Sequence, residues 1–437
     1  MSYIQVDSRG CGAGKTRNTI VPRIKDNIRK GTRTLLVVPS KYLQGEYSQH
    51  FHFDEITIIN SDSGKILQQY QTADTPVVCL THQGFLQTPG LFRDNWDLII
   101  DEAFVPYEEI KFNTQDSAGR VWTNFTEVFA WAEPVPKTQP TTKPQPYFKI
   151  ACVESTPPDV IRSDIWRKIT NPNYVIRCTW AIGDNLMNNR GQTSALFVEV
   201  NPQLLQGWSS VWIACAVFEK TFMGHWMCAN NIEYDVVSKF ETHSVPVVFH
   251  MPTEEFTWSK QCRKINPNIE LEFRDYVNAH RTGKLIYNSN NDSNTVFALQ
   301  TRLTHNAHGV NAYKHLTDYA FMTAIKPSGL YNNFIKDVCG ISGKQLNFAM
   351  TGYSAYQLMF RSALRDPNNT TPVNIFALDT EMLLSVMDLF DPKCYNALPN
   401  IQVEDSRTKK VSKAMTNAER AKKHRAKKKA LKAMTTP

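Results

Sequence analysis

Lys15 and Thr16 close a glycine-rich segment, Arg9-Gly10-Cys11-Gly12-Ala13-Gly14-Lys15-Thr16. It follows the short apolar run Tyr3-Ile4-Gln5-Val6 and opens into a helical-looking stretch from Asn18 to Arg29. A turn of this kind between strand and helix lets backbone N–H groups surround a phosphate, and the helix N-terminus adds positive potential. Gly12, Ala13 and Gly14 then form the cradle, Lys15 reaches the β- and γ-phosphates, and the Thr16 hydroxyl ligates Mg²⁺, so ATP and Mg²⁺ are the expected ligands. The strict motif has glycine where Arg9 stands, which leaves Gly12-x-Gly14-Lys15-Thr16 as the surviving core. Some 85 residues downstream, Asp101-Glu102 ends the apolar run Trp96–Ile100. A strand-terminal Asp101 can hold Mg²⁺, and an adjacent Glu102 can orient or deprotonate the attacking water. In the second half, Gln357, Arg361 and Arg365 are spaced i, i+4, i+8, which predicts one stripe of a helix from about Ala355 to Leu364. An arginine reaching across a cleft stabilises charge developing on a transferred phosphoryl group.

These groups need elements to hold them. Thr34–Val38, ended by Pro39, reads as a strand, as do Ile56–Ile59 and Val77–Leu80. Polar, helix-capable segments lie between them, and such alternation predicts a parallel sheet covered on both faces, an α/β core. Trp96–Phe104 is expected as a buried strand carrying the two acids, at the carboxyl edge where sites of this fold class form. A helix is expected from about Asp116 to Trp131, followed by an exposed loop over 133–146, which holds five prolines. Phe148–Val153, Ser194–Val200 and Val211–Val217 read as strands, with a turn over Leu204–Trp208. A composition shift near 236–246 marks the expected domain boundary. Lys284–Asn288, Tyr319–Ala324 and Asn374–Leu378 then repeat the α/β pattern.

In this order the motifs resemble those of the superfamily 2 helicases, DEAD/DEAH-like, in a virus- or phage-type form. Gly12–Thr16 is similar to their motif I, and Asp101-Glu102-Ala103-Phe104 to motif II. Val37-Val38-Pro39-Ser40-Lys41 resembles motif Ia, and Cys79-Leu80-Thr81-His82 a threonine-bearing backbone-contact motif. Motif III has two candidates, Glu154-Ser155-Thr156-Pro157-Pro158 and Ala214–Thr221, with the second preferred. His308-Gly309-Val310-Asn311 resembles motif V. Gln357–Asp366 resembles motif VI, although its arginines are four apart rather than three; Arg365 is taken as the finger. The resemblance implies two tandem RecA-like (P-loop NTPase) domains, spanning 1–238 and 239–400, with nucleotide in the cleft between them. It further implies nucleic-acid contacts at Ser40, Lys41, Thr81, Gly309 and Asn311. His305, His308 and His315 have no complementary Cys or acid cluster and are not read as a metal site.

The net charge of +8 is unevenly placed. Residues 407–437 hold 12 Lys and Arg against one acid, leaving 37 basic and 40 acidic side chains elsewhere. The body is nearly neutral, and 401–437 is a basic tail, helical or disordered, suited to a polyanion. Lys422, Lys423, Arg425, Lys427, Lys428 and Lys429 are its candidate nucleic-acid contacts. Nine cysteines without a C-x-x-C pair suggest neither a disulfide framework nor zinc. The absence of a long apolar run or a leader-like N-terminus predicts a cytoplasmic protein, that of the host if virally encoded, without a membrane partner. The combined expectation is an ATP-dependent DNA helicase or translocase serving viral or phage genome replication, alongside other replication proteins. RNA in place of DNA stays open. The alternatives are a DNA-packaging motor ATPase, with Asp379, Glu381, Asp388 and Asp391 as a nuclease cluster, or a nucleotide-switched adaptor that binds nucleic acid without translocating.

Overall fold

The computed structural model describes residues 3–398, apart from 61–62, 92–93, 114–127, 143–145, 154–162, 189–192, 253–257, 291–296, 298, 305–311, 326–327 and 392. The first strands are β1 (Tyr3–Asp7), β2 (Arg33–Val38), β3 (Ile56–Ile58), β4 (Val77–Thr81) and β5 (Trp96–Asp101). Five more follow: β6 (Tyr107–Asn113), β7 (Phe129–Trp131), β8 (Tyr147–Cys152), β9 (Tyr174–Thr179) and β10 (Thr193–Val200). The chain then returns to the first sheet with β11 (Ser210–Ala214) and β12 (Asp235–Ser238). That sheet has the order β12-β1-β11-β5-β2-β4-β3, and all its pairings are parallel.

A parallel sheet must be covered on both faces, which explains strands such as β2 and β5 that are buried almost end to end. Because side chains alternate, Leu35, Val37, Leu98 and Ile100 fill one core, and Leu36, Val38, Ile99 and Trp212 fill the other. Ile20, Val21 and Ile24 of the helix after the phosphate loop pack into this second core. The expected α/β class is thus what the chain forms.

Strands β6 to β10 depart from that pattern. They make an antiparallel sheet, order β6-β10-β9-β8-β7, inserted between β5 and β11. The helix expected to run to Trp131 gives way to β7 over Phe129–Trp131; residues 114–127 lie outside the described chain. Leu196 and Val198 of β10 face the insert's own core, whereas Phe197 faces the first domain's core. Asn171 and Asn173 anchor the insert by donating to the carbonyls of Leu86, Gln87 and Thr88.

The third sheet is again parallel. It comprises β13 (Val247–Pro252), β14 (Leu285–Ser289), β15 (Thr301–Arg302), β16 (Asp318–Met322), β17 (Val373–Ala377) and β18 (Lys393–Leu398), in the order β15-β14-β16-β17-β13-β18. Val247, Phe249, Tyr319 and Ile375 pack against the helices Tyr353–Met359 and Thr380–Met387.

The two halves meet through the helix Gly329–Cys339, whose Tyr331, Phe334 and Ile335 enter the core of the first sheet. Phe334 stacks on Phe197 at 4.4 Å between ring centroids and meets Tyr107 and Tyr147 edge-on. Replacing it should leave a cavity in a buried aromatic cluster. Phe334→Ala is expected to cost about 3–5 kcal/mol in denaturant unfolding. Leu330→Ala, at a side chain 51% exposed on the same helix, should cost little.

Candidate nucleotide site in the cleft between the parallel sheets

The glycine-rich loop leaves β1 at Asp7. Ser8 is pinned from both sides, since the Phe218 N–H donates to its hydroxyl at 3.0 Å and that hydroxyl donates to Glu219 Oε2 at 2.7 Å. Arg9, the departure from the strict motif, turns its guanidinium back onto Asp7 at 2.8 Å and 2.5 Å and onto the Thr19 hydroxyl at 2.6 Å. The Asp7 carboxylate raises the Arg9 pKa further. Arg9 therefore ties the strand end to the following helix instead of filling the cradle. Gly12 and Gly14 take φ of +82° and +72°, the left-handed conformation that glycine adopts freely. Lys15 is buried, and its ammonium donates to the carbonyls of Arg9 at 2.7 Å and Gly10 at 3.0 Å. Helical bonding starts with a π turn over Thr16–Ile20 before the α-helix Val21–Lys30.

Asp101 and Glu102 sit at the carboxyl end of β5, as the sequence predicts. Asp101 is buried and accepts from the Tyr47 hydroxyl at 2.8 Å. Burial and the neighbouring Glu102 charge both push its carboxyl above the usual carboxylate range. The Tyr47 hydroxyl also interacts with Thr16, so the two expected Mg²⁺ ligands face one phenol. Glu102 has φ of +66°, an unfavourable conformation for a residue with a Cβ, and its N–H donates to the Ala214 carbonyl at 2.9 Å. Its Oε2 accepts from Gln357 Nε2 at 2.9 Å and from the Tyr353 hydroxyl at 2.7 Å.

The second wall corrects one expectation. The helix bearing Gln357 spans only Tyr353–Met359, so Gln357, Arg361 and Arg365 do not share a helical stripe. After Met359 the chain tightens, with the Arg361 N–H bonded to the Leu358 carbonyl and the Ser362 N–H to that of Met359. A 3₁₀ turn over Ala363–Arg365 follows, N-capped by Ser362. The three side chains nevertheless line the same cavity as the phosphate loop, Asp101 and Glu102, a space of about 350 Å³. Arg361 is buried there; desolvation lowers its pKa, and its Nε has no hydrogen-bond partner. A buried guanidinium nitrogen without a partner suits a site that takes an anion. Arg365 contributes backbone too: a Cβ on Gly12 would lie 3.1 Å from its carbonyl oxygen.

Two residues that sequence reasoning missed lock this wall to the loop. Tyr356 accepts from the Cys11 N–H at 2.8 Å and pairs with His243 Nε2 at 2.6 Å. The phenol has one proton and two acceptor lone pairs, so it can accept the Cys11 N–H and pair with His243 at the same time, in the direction that the imidazole tautomer sets. Burial and the nearby Lys15 charge lower His243 to about 4. A Cβ on Gly10 would fall 2.4 Å from His243 Cε1, which makes Gly10 the point of closest approach. No local motif announces either residue, because each acts across more than a hundred residues of chain.

The other predicted residues are dispersed. Ser40 and Thr81 cap the helices Lys41–Ser48 and His82–Gln87, accepting from the N–H groups of Leu43 and Gly84. Lys41 and Thr81 line a second cavity with Arg167 and Lys168 of the insert. The Ala214–Thr221 candidate begins at the last residue of β11 rather than lying within a strand that reaches Val217, and it leads into the helix Phe222–Ala229. Residues 154–158, His305, His308, Gly309, Asn311, Lys422, Lys423, Arg425, Lys427, Lys428 and Lys429 lie outside the described residues. Asp379 caps the helix Thr380–Met387 and accepts from the Trp258 N–H. Among the described residues there is no group of three or more His, Cys, Asp or Glu placed to hold a metal, and no helix is long and apolar enough to cross a membrane.

No protein-family model and no curated protein matches the chain. Two solved structures align along most of it. One is the S. tokodaii Xpd4 structure, with 10% identity, 91% of this chain and 96% of that chain covered, and a TM-score of 0.49. The other is an XPD helicase, with 9% identity, 90% and 96% covered, and a TM-score of 0.41. At this level of likeness neither match assigns a function to this chain.

His243 gives the cleft a pH dependence. Its folded pKa of about 4 lies below the ordinary 6.5, so between those values the unfolded chain binds a proton that the folded chain refuses. Its stabilising share is full above pH 6.5 and declines as the pH falls towards 4. Because the raised Asp101 carboxyl titrates with the opposite sign in the same window, the histidine is read by difference. In denaturant titrations from pH 7 to 4, the stability of wild type relative to His243→Gln should fall, and an unchanged difference would contradict the assignment.

Proposed function

We propose that this protein is an ATP-dependent helicase or translocase acting on nucleic acid, DNA in the first instance. The observation that carries the proposal is the convergence, in one cleft, of the phosphate loop, the strand-end acids and the Gln357/Arg361/Arg365 set from the facing domain. The proposed domains are 1–238 and 239–400, with 401–437 as a basic tail.

The residues present fit Mg²⁺·ATP. Two left-handed glycines shape the cradle, Lys15 lines it with its ammonium held by the Arg9 and Gly10 carbonyls, and Arg361 holds an unpartnered nitrogen in the same space. Thr16 and Asp101 would hold Mg²⁺, which supplies charge neutralisation on the phosphates when bound. Burial first and the Glu102 charge second raise the Asp101 carboxyl, and a cation bound there would offset both by favouring the ionised form. Gly12, Ala13, Gly14 and Lys15 would bind the phosphates, with Lys15 exchanging its two carbonyl partners for phosphate oxygens. Glu102 would orient the attacking water. Arg361 and Arg365 would stabilise charge on the γ-phosphoryl group as it passes from ADP to water. Because Gln357, Arg361 and Arg365 belong to the opposite domain, nucleotide would bind both walls and favour the closed cleft. Hydrolysis would remove that preference and so shift the population towards the open form.

Ser40, Lys41 and Thr81, with Gly309 and Asn311 from the second domain, would track the strand backbone. The tail would add sequence-independent affinity through its lysines and arginines.

ATP turnover should be measured with single-stranded DNA, duplex DNA and RNA, comparing wild type with Lys15→Ala. DNA should stimulate turnover, and Lys15→Ala should lose at least about 100-fold, in line with losing a transition-state charge contact. Full stimulated turnover by Lys15→Ala would refute the site, and stimulation by RNA alone would reassign the strand. Removing residues 407–437 should weaken DNA binding and flatten its dependence on salt. An unchanged salt titration would remove the tail from the binding surface.

A further inference from the structure

We infer that Tyr353 is a positioning residue that aims the Glu102 carboxylate and does so only while the two domains are closed, an inference that rests on the ATPase reading above. Tyr353 comes from the second half of the chain, 251 positions from Glu102. It stands one helical turn before Gln357 and projects from the same helix face.

Three elements meet at its hydroxyl. It donates to Glu102 Oε2 at 2.7 Å, accepts from Gln357 Nε2 at 2.9 Å, and lies 3.0 Å from Cys215 Sγ. A phenol has one proton and two acceptor lone pairs. With its proton committed to the carboxylate, the hydroxyl accepts from the Gln357 amide, and the Cys215 thiol, whose one proton also faces the Ala216 carbonyl, can meet it only as a donor, so the hydroxyl has one orientation. Gln357 also donates directly to Glu102 Oε2, which closes a three-membered ring of hydrogen bonds. Both second-domain donors go to Oε2, which leaves Oε1 as the oxygen to accept from a water.

The backbone explains why such a device is needed. Glu102 is held at φ of +66° at the end of a buried strand, and its own domain fixes its N–H but supplies none of these side-chain donors. Cys215 belongs to the link between β11 and the following helix, next to the carbonyl that holds the Glu102 N–H. Tyr353 therefore senses two edges of the first domain at once. Hydrogen bonds of 2.7–3.0 Å lose their strength within an ångström of separation, so opening the cleft releases the carboxylate. Hydrolysis is thereby restricted to the closed form.

Tyr353→Phe removes the hydroxyl and keeps the ring, which packs against both domain cores. Loss of one hydrogen bond to a charged group should lower kcat for ATP about 10- to 100-fold. KM, the affinity for a fluorescent ATP analogue and the thermal midpoint should stay near wild-type values. In a Glu102→Gln background, Tyr353→Phe should cause no further loss, because the group it aims has gone. Wild-type kcat in Tyr353→Phe, a matching drop in nucleotide affinity or thermal midpoint, or an equal additional loss in the double variant would each overturn the inference. The parent reading fails separately: if Lys15→Ala and Glu102→Gln both turn over ATP normally, the site is not an ATPase centre. If those two are inactive while Tyr353→Phe is unaffected, only the positioning role falls.

Discussion

Two adjacent carboxylates at the end of a fully buried strand are the constraint around which the cleft is built. Asp101 has lost most of its hydration, and the charge of Glu102 lies next to it. Burying Asp101 beside the half-buried Glu102 is costly unless each acid is hydrogen-bonded or neutralised. The surrounding residues answer that cost one by one. Tyr47 donates to Asp101, Tyr353 and Gln357 donate to Glu102, and Lys15 and Arg361 add positive charge to the same space. Several of these groups come from the second half of the chain, so the electrostatics of the acids depend on how the two parallel sheets meet.

The first wall was legible in the sequence because its chemistry is local. Gly12, Gly14, Lys15 and Thr16 lie within five residues, in a strand–turn–helix that the apolar pattern also announces. Asp101-Glu102 was legible for the same reason, as polar residues ending an uninterrupted apolar run. Gln357, Arg361 and Arg365 stand out by type and line one cavity, but their geometry does not follow from their spacing. A stripe at i, i+4, i+8 assumes a continuous helix, whereas the chain ends its helix at Met359 and brings the arginines in on tight turns. Arg9 could not be explained from sequence, since its partners Asp7 and Thr19 come together only once strand and helix have formed.

The antiparallel insert was the larger omission. Its strands were partly marked, as Phe148–Val153 and Ser194–Val200, yet nothing in a local pattern distinguishes an inserted sheet from further strands of the same one. β10 buries both faces, one in its own core and one in the first domain's, so its residues do not show the clean polar alternation of a half-exposed strand. The helix Gly329–Cys339 poses a similar difficulty. It is amphipathic in the ordinary way, and only the tertiary structure reveals that its apolar face serves the other domain. Residues that act at a distance, such as Tyr356 and His243, were invisible for the same reason.

The π turns have a consequence of their own. One, Thr16–Ile20, follows Lys15 of the glycine-rich loop; another, Phe348–Gly352, immediately precedes Tyr353. Each amounts to one residue more than an α-helix of the same span requires. Every side chain beyond it is rotated by about 100° relative to an unbroken helix. The direction in which Tyr353, Tyr356 and Gln357 point is thus set by a length defect upstream as much as by their own identities. Gly352 permits it by letting the helix approach Ser385, where a Cβ would come within 2.7 Å of the hydroxyl. Comparing this chain with distant sequences by matching residue to residue along these helices would slip by one position at each defect. The cleft-facing groups would then align with core positions, and two chains sharing the same chemistry would look unrelated there.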